Sequence, residues 1–267
     1  MKYSLSFGIN KYSNPANNLE GCVNDATTWR NILKDKYGFD TKLLLDSDVT
    51  SSNFTNLIIE LTKKCVSDDV FVLTYSGHGS SVVDKNGDEP DGKDECICLY
   101  DRFFIDDEIK SLFDKFIKGV RICFISDSCH SGTVTRAFLN QQFEQLPPKA
   151  LYKKIRYIPP ENDTIALSMA KIPYKSQFKN MIIEDDMVDI LIAGCKDTEY
   201  SYDAKIKGVA CGAFSYFAQK VINESDTTKL TYDKFYSKLR KYLPSNEYAQ
   251  TPQLEGSKEN KKRILFS

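Results

Sequence analysis

The sequence has almost no net charge and very little histidine. Its 267 residues include 36 Lys and Arg against 37 Asp and Glu, a formal charge of −1, and 41% of them are hydrophobic. Disordered chains combine low hydrophobicity with a large net charge, and nucleic-acid-binding domains are usually basic, so the composition argues against both classes. We therefore expect a folded domain that binds neither DNA nor RNA.

Long hydrophobic runs and CxxC pairs are also missing. Residues 1–14 mix Lys, Ser, Gly and Asn with short apolar stretches, which fits neither a signal peptide nor a membrane span. The eight cysteines are widely spread, and the chain is too long for a disulfide scaffold. We expect reduced thiols in a cytoplasmic monomer that does not associate with membranes.

Short strand patterns alternate with helical patterns in the first half of the chain. Apolar runs at residues 70–75 (VFVLTY) and 120–125 (VRICFI) are typical of strands buried on both faces. This alternation predicts an α/β fold around a mainly parallel sheet. The predicted strands lie at residues 3–9, 41–45, 70–75, 120–125, 188–195 and 264–266, and the predicted helices at residues 19–38, 51–65, 109–116, 212–221 and 233–243.

A basic, proline-rich stretch interrupts this pattern. Residues 141–180 hold five of the nine prolines and seven basic residues against three acidic ones. We predict a single domain in which residues 1–135 and residues 187–267 share one sheet, connected by a linker over residues 136–186. A solvated loop is the default interpretation of such a linker.

Two unusual segments follow the two most apolar strands. Residues 75–80 (YSGHGS) place His78 between glycines, and residues 126–132 (SDSCHSG) place Cys129 in a small polar turn. In open α/β sheets, ligands bind at the carboxyl ends of the strands. We therefore expect both segments to lie at one binding edge.

These segments suit nucleophilic catalysis. A free thiol, with a pKa of about 8.5, needs a base to form thiolate near neutral pH. Only His78 and His130 are available, and His130 directly follows Cys129, where adjacent side chains tend to diverge, so His78 is preferred. The amides of Gly79 and Cys129 could then stabilise an oxyanion. This predicts a Cys/His acyl-transfer enzyme, with a solvated His and an inert buried Cys as the alternative.

The two segments resemble the motifs of caspase-like cysteine peptidases, most closely those of metacaspases and bacterial orthocaspases. This resemblance implies a caspase-like fold with a mainly parallel sheet of about six strands and helices on both faces. It also implies that Cys129 is the nucleophile and His78 the general base. Further similar stretches, which extend the likeness over nearly the whole chain, are residues 8–12 (GINKY), 19–26 (LEGCVNDA), 91–95 (DGKDE), 105–109 (IDDEI) and 250–253 (QTPQ).

The resemblance also implies a substrate class. Metacaspases hold a P1 Arg or Lys in an acidic pocket, and the matching positions here are Asp25, Ser76 and Asp127. Two carboxylates suit a guanidinium or ammonium group because charge-assisted pairs are strong. The alternative for Asp25 is an early-helix acid that the helix dipole favours. We expect a protein or peptide substrate with a basic P1 residue.

A protease with this preference could cut its own linker, because such loops are where nicking concentrates. We therefore expect self-processing in the basic linker. The candidate residues are Lys149, Lys153, Lys154, Arg156, Lys171, Lys175 and Lys179.

Calcium is the one cofactor that the resemblance suggests, and none is expected to be obligatory. Residues 84–108 hold ten acidic and three basic residues, an oxygen density that suits a hard cation. Asp106 and Asp107 match metacaspase calcium aspartates, whereas Thr133-Val134-Thr135-Arg136 stands where a further aspartate is expected. An acidic surface loop is the alternative.

Two functions of other classes compete with the protease. A catalytically silent caspase-fold adaptor is disfavoured by the intact pair of His78 and Cys129, because such adaptors usually lose one partner. The second rival is a different thiol enzyme or a Cys/His metal site, and the metal site is disfavoured because its spacing matches no zinc pattern. Its ligands would be Cys96, Cys98, Cys129 and His130.

Overall fold

A computed structural model describes residues 1–83, 93–129, 153–159, 189–196 and 198–267. The strands are β1 (Lys2–Gly8), β2 (Asp40–Leu45), β3 (Val70–Ser76), β4 (Gly79–Val83), β5 (Lys93–Cys98), β6 (Phe103–Ile105), β7 (Arg121–Asp127), β8 (Lys153–Ile155), β9 (Ile190–Ala193), β10 (Tyr202–Ile206), β11 (Val209–Gly212) and β12 (Gln253–Glu255). The described helices are α1 (Cys22–Tyr37), α2 (Ser51–Lys64), α3 (Asp106–Phe113), α4 (Ala213–Asn223), α5 (Tyr232–Leu239) and α6 (Lys258–Lys261).

Six strands form the central sheet, in the order β12-β9-β7-β3-β1-β2. Its pairs are parallel except for β12 with β9. The predicted mainly parallel α/β sheet of about six strands is therefore confirmed. Strands from both halves of the chain lie in this one sheet. The predicted linker boundaries fall outside the described residues.

Strand β3 shows why the sheet is covered on both faces. All of its residues are buried, and its side chains alternate between two apolar clusters. Phe71 packs in one cluster with Phe54 of α2, whereas Val72 packs in the other with Trp29 of α1 and Phe214 of α4. The period-2 geometry of a strand thus requires helices on each side, as predicted.

Local sequence signals set the helix ends near the functional edge. The Asn10 side chain accepts hydrogen bonds from the amides of Cys22 and Val23, which are unpaired donors at the start of α1. Gly38 ends the helix with a φ of +72°, the left-handed conformation that glycine adopts readily. The first loop is thereby tied to α1.

Several short elements differ from the sequence prediction. The predicted strand at residues 264–266 is wrong, because Ile264 makes only an isolated bridge with Thr231, while Phe266 is buried in the core. Its apolar character reflects core packing. The unpredicted elements each have five residues or fewer, and they are β4, β6, β8, the β10–β11 hairpin, β12 and α6. Among the described helices, none has the length and apolar character to cross a membrane.

Candidate active site

The two sequence segments meet because β3 and β7 are parallel neighbours in register. Ser76 pairs with Asp127 at their carboxyl ends, and His78 and Cys129 each follow two residues later. Gly79 allows the close approach of the two loops, because a Cβ there would lie 1.8 Å from the Cys129 carbonyl oxygen. The fold therefore brings the predicted base and nucleophile to one edge of the sheet.

His78 is held as a neutral base. Its Nε2 lies 2.7 Å from the carbonyl oxygen of Asn17, which can only accept a hydrogen bond, so Nε2 carries the proton. Its Nδ1 is therefore unprotonated, and this buried atom has no hydrogen-bond partner among the described residues. Burial lowers the pKa of His78 to about 3, which the hydrogen bond to Asn17 opposes. The ring is neutral near pH 7.

Aromatic residues fix the position of this base. The His78 amide donates to the Tyr12 hydroxyl at 2.8 Å, and the two rings lie 4.9 Å apart. The Tyr75 hydroxyl donates to the His78 carbonyl oxygen at 2.8 Å. Tyr12 belongs to the GINKY stretch, which is how this early segment contributes to the site.

The thiol of Cys129 is completely buried. Its Sγ accepts a hydrogen bond from the Ser201 amide and donates to the Ser201 carbonyl oxygen at 3.4 Å. Cys195 lies in the same small apolar cluster. Its hydrogen bond with Cys129, together with burial, raises the pKa of the Cys195 thiol well above its usual range. This shift keeps Cys195 as a thiol near pH 7, and a thiol is a poor nucleophile.

A third segment, residues 153–158, enters the same edge. Strand β8 pairs antiparallel with β10, and the Arg156 amide donates to the Ser201 carbonyl oxygen at 3.0 Å. The Arg156 carbonyl oxygen accepts from the amides of Gly79, at 2.9 Å, and Cys129, at 3.1 Å. The two amides proposed for an oxyanion thus converge on one carbonyl oxygen of the chain itself.

The Arg156 side chain is completely buried among carboxylates. Its Nη2 lies 2.7 Å from Asp25 and 2.9 Å from Asp203, and its Nη1 lies 3.0 Å from Asp127. Nη1 also donates to the Ser76 hydroxyl at 2.8 Å. The structure therefore brings together the three predicted pocket residues and adds a fourth, Asp203.

Backbone amides hold these carboxylates in place. Asp25 accepts from the Gly212 amide at 2.9 Å, Asp203 from the Gly21 amide at 3.0 Å, and Asp127 from the Ser215 amide at 3.0 Å. Burial raises the pKa of Asp25 to about 7; Arg156 opposes this shift.

Gly212 lies against the guanidinium. A Cβ at this position would meet Asp127 Oδ2 at 2.1 Å and Arg156 Nη1 at 2.6 Å. A glycine here therefore leaves room for the guanidinium and for its partner carboxylate.

Sequence reasoning missed two residues of this pocket. Asp203 stands in the short strand β10, where the neighbouring Tyr202 and Ala204 give only a weak period-2 signal. Arg156 was one of seven basic linker residues, and although it is the one arginine among them, its local sequence did not indicate that its side chain is buried. Both positions depend on the pairing of β8 with β10, which a local pattern does not reveal.

The structure does not assemble a metal centre from the residues it describes. Asp106 and Asp107 form the first turn of α3. Within the described ranges, no three His, Cys, Asp or Glu side chains are placed to share a metal ion, Cys96, Cys98 and Cys129 included. His130, Arg136 and the acidic residues at 84–92 lie outside those ranges. The calcium ligands expected around Asp106 and Asp107 are therefore not gathered by the described residues.

Comparisons with known proteins agree with this architecture. The family model described as Caspase domain matches residues 1–263. Metacaspase-1 of Schizosaccharomyces pombe is 29% identical over 289 aligned positions, which span 95% of this chain and 67% of that protein.

Solved structures show the same fold. The crystal structure of a Geobacter sulfurreducens protein matches with a TM-score of 0.75 at 26% identity, covering 100% of this chain and 98% of the other. Caspase-1 from Spodoptera frugiperda matches with a TM-score of 0.59 at 12% identity, covering 96% of this chain and 86% of the other. Since the family model spans almost every residue and the sheet is that of a caspase, the chain belongs to the caspase-domain family as a metacaspase-like cysteine peptidase.

Proposed function

We propose that this peptidase cleaves peptide bonds after Arg or Lys, with Cys129 as the nucleophile and His78 as the general base. The position of Arg156 carries the proposal. Its carbonyl oxygen lies between the Gly79 and Cys129 amides while its guanidinium lies among carboxylates. A basic P1 residue needs its side chain among the carboxylates and its carbonyl oxygen at the two amides at the same time. Binding of the side chain then places the scissile carbonyl where its developing charge is stabilised.

The chemistry follows from these positions. After the thiol leaves its hydrogen bond to Ser201, His78 Nδ1 takes its proton and the thiolate attacks the P1 carbonyl carbon. The Gly79 and Cys129 amides stabilise the oxyanion. The C–N bond then breaks as His78 returns the proton to the leaving amine. Water, deprotonated by His78, hydrolyses the thioester and regenerates the thiol.

We also propose that the enzyme cleaves itself at the Arg156–Tyr157 bond. The other two described basic residues of the linker make different contacts. The Lys154 ammonium donates to the Asn18 carbonyl oxygen at 2.7 Å, and the Lys153 ammonium lies 4.8 Å from the centre of the Tyr248 ring. In the intact chain this segment fills the groove, so another substrate has to displace it.

Intact mass tests self-cleavage directly. We expect the wild type to yield fragments 1–156 and 157–267, whereas Cys129→Ala and His78→Ala remain single chains of 30.4 kDa. Arg156→Gln and Lys154→Gln form a matched pair, because each removes one positive charge from the same segment. Only Arg156→Gln should abolish cleavage at residue 156. A wild-type chain that stays intact after prolonged incubation would contradict the proposal.

Fluorogenic peptides that differ only at P1 test the substrate class. We expect cleavage after Arg and Lys, none after Asp, and complete loss in both the Cys129→Ala and His78→Ala variants. Wild-type rates in both variants would make the catalytic assignment wrong. Binding of the peptide without cleavage by the wild type would instead indicate the silent adaptor.

We further propose that the enzyme works as a cytoplasmic monomer without an obligatory cofactor. All eight cysteines are buried, and none of them forms a disulfide, which supports a reducing environment. Light scattering of the Cys129→Ala chain should give the monomer mass of 30.4 kDa. A mass twice that value would contradict the monomer.

A further inference from the structure

The backbone that follows Arg156 pairs with the first residue of β4. Tyr157 forms a parallel bridge with Gly79. The Ile158 amide donates to the Gly79 carbonyl oxygen at 3.0 Å, and the Ser80 hydroxyl donates to the Ile158 carbonyl oxygen at 2.6 Å. Main-chain hydrogen bonds of this kind hold extended peptides at a sheet edge. The groove therefore continues beyond the Arg156–Tyr157 bond.

The Ile158 side chain is inserted into the protein interior. It is 2% exposed and belongs to the larger apolar cluster of the core. It lines a small cavity, whose other lining residues are Tyr12, Ser13, Cys98, Leu99, Tyr100, Arg102 and Phe103. A solvated linker would leave such a side chain in water, so this burial is a specific feature of the docked segment.

We propose that this pocket is a substrate subsite for an aliphatic residue at P2′, the second position after the cleaved bond. The inference depends on the proposed cleavage at Arg156–Tyr157, which makes Ile158 the P2′ residue. Tyr12, Cys98, Leu99 and Phe103 form apolar or aromatic walls, and the charge of the neighbouring Arg102 is paired with Glu108. Ile, Leu or Met therefore gains burial there, whereas Ser or Asp does not.

The pocket is also connected to the catalytic base. Tyr12 forms one wall and accepts the hydrogen bond of the His78 amide at 2.8 Å. A P2′ side chain that packs against Tyr12 therefore supports the residue that positions the base. An aliphatic P2′ residue should raise kcat as well as lower KM.

Docking of the segment is tested without catalysis, in the Cys129→Ala chain treated with trypsin. The buried Arg156 should resist trypsin, and adding Ile158→Ser should speed the cut after Arg156 by tenfold or more, located by mass spectrometry. Ile155→Ser is the matched control, because Ile155 is only partly buried. It should have a smaller effect. An unchanged trypsin rate in the Ile158→Ser chain would overturn the inference.

Specificity is tested on internally quenched peptides of sequence KKIRYIP that carry Ile, Leu, Ser or Asp at P2′. We expect kcat/KM to fall by about tenfold to a hundredfold from Ile to Ser, the range that burial of one aliphatic side chain provides. A short coumarin amide of Arg, which has no P2′ residue, is the control. If the coumarin amide is cleaved but all P2′ peptides react equally, the subsite is wrong. If neither is cleaved, the proposed protease function fails, and the trypsin experiment still decides whether the pocket holds Ile158.

Discussion

Two groups of acidic residues in this protein differ in whether the fold brings them together. The pocket aspartates are scattered along the chain, with Asp25 131 residues before Arg156 and Asp203 47 residues after it, yet they converge, fully buried, on one guanidinium. Residues 84–108 hold ten acids close together in sequence, yet the described ones are not placed to share a metal ion. Burial around a shared partner is therefore a better indicator of a site than charge density along the sequence.

The described acids of the dense stretch have local structural roles. Asp101 accepts hydrogen bonds from the Ser51 amide and hydroxyl at the start of α2. Glu108 forms a bidentate pair with Arg102, with both contacts at 2.7 Å. Such caps and partly exposed pairs contribute about 1 kcal/mol each. Removing one partner of a buried pair costs more, roughly 3–5 kcal/mol.

The largest expected effect is therefore the loss of a pocket carboxylate. Asp25→Asn, Asp127→Asn and Asp203→Asn should each lower kcat/KM for an Arg-P1 peptide by about a hundredfold or more, because the guanidinium loses a buried partner. Asp107→Asn is the matched control and should change the rate less than twofold without calcium. Circular dichroism checks that each variant folds. A folded pocket variant that keeps wild-type activity would show that this aspartate does not bind the P1 side chain.

Calcium is expected to have a smaller effect than any pocket aspartate. Asp106 and Asp107 lie in the first turn of α3, where acids are favoured without a metal. Cleavage of an Arg-P1 peptide, measured with millimolar calcium and with chelator, should differ by less than tenfold. A hundredfold activation that disappears in Asp106→Asn and Asp107→Asn would show that the dense acidic stretch is a site after all.

Only part of the fold and of the active site could be predicted from the sequence. Strands β3 and β7 were recognisable because burial on both faces requires continuous apolar runs, and His78 and Cys129 follow them directly. The remaining pocket depends on long-range pairing. Arg156 reaches its place because β8 pairs with β10, and Asp203 stands on a strand of only five residues. Such short strands carry too few alternating residues for a period to be read.

The smallest expected effect is on the pH dependence of stability, because burial at the active site also shifts the pKa values of its residues. Burial raises the pKa of Asp25 to about 7, so the folded chain keeps a proton that the unfolded chain loses above about pH 4. The stability that this group contributes is lost as the pH rises toward 7. His78 acts in the opposite direction. Its pKa is lowered to about 3, so between pH 6.5 and 3 the unfolded chain binds a proton that the folded chain does not. The stability of the folded chain therefore decreases as the pH is lowered through this range.

Urea unfolding of the Cys129→Ala chain at pH 7.5 and pH 5 measures both contributions, since groups common to all variants cancel. Adding His78→Gln should reduce the loss of stability on acidification, and adding Asp25→Asn should increase it. Equal pH dependence in the three chains would contradict the burial of both groups.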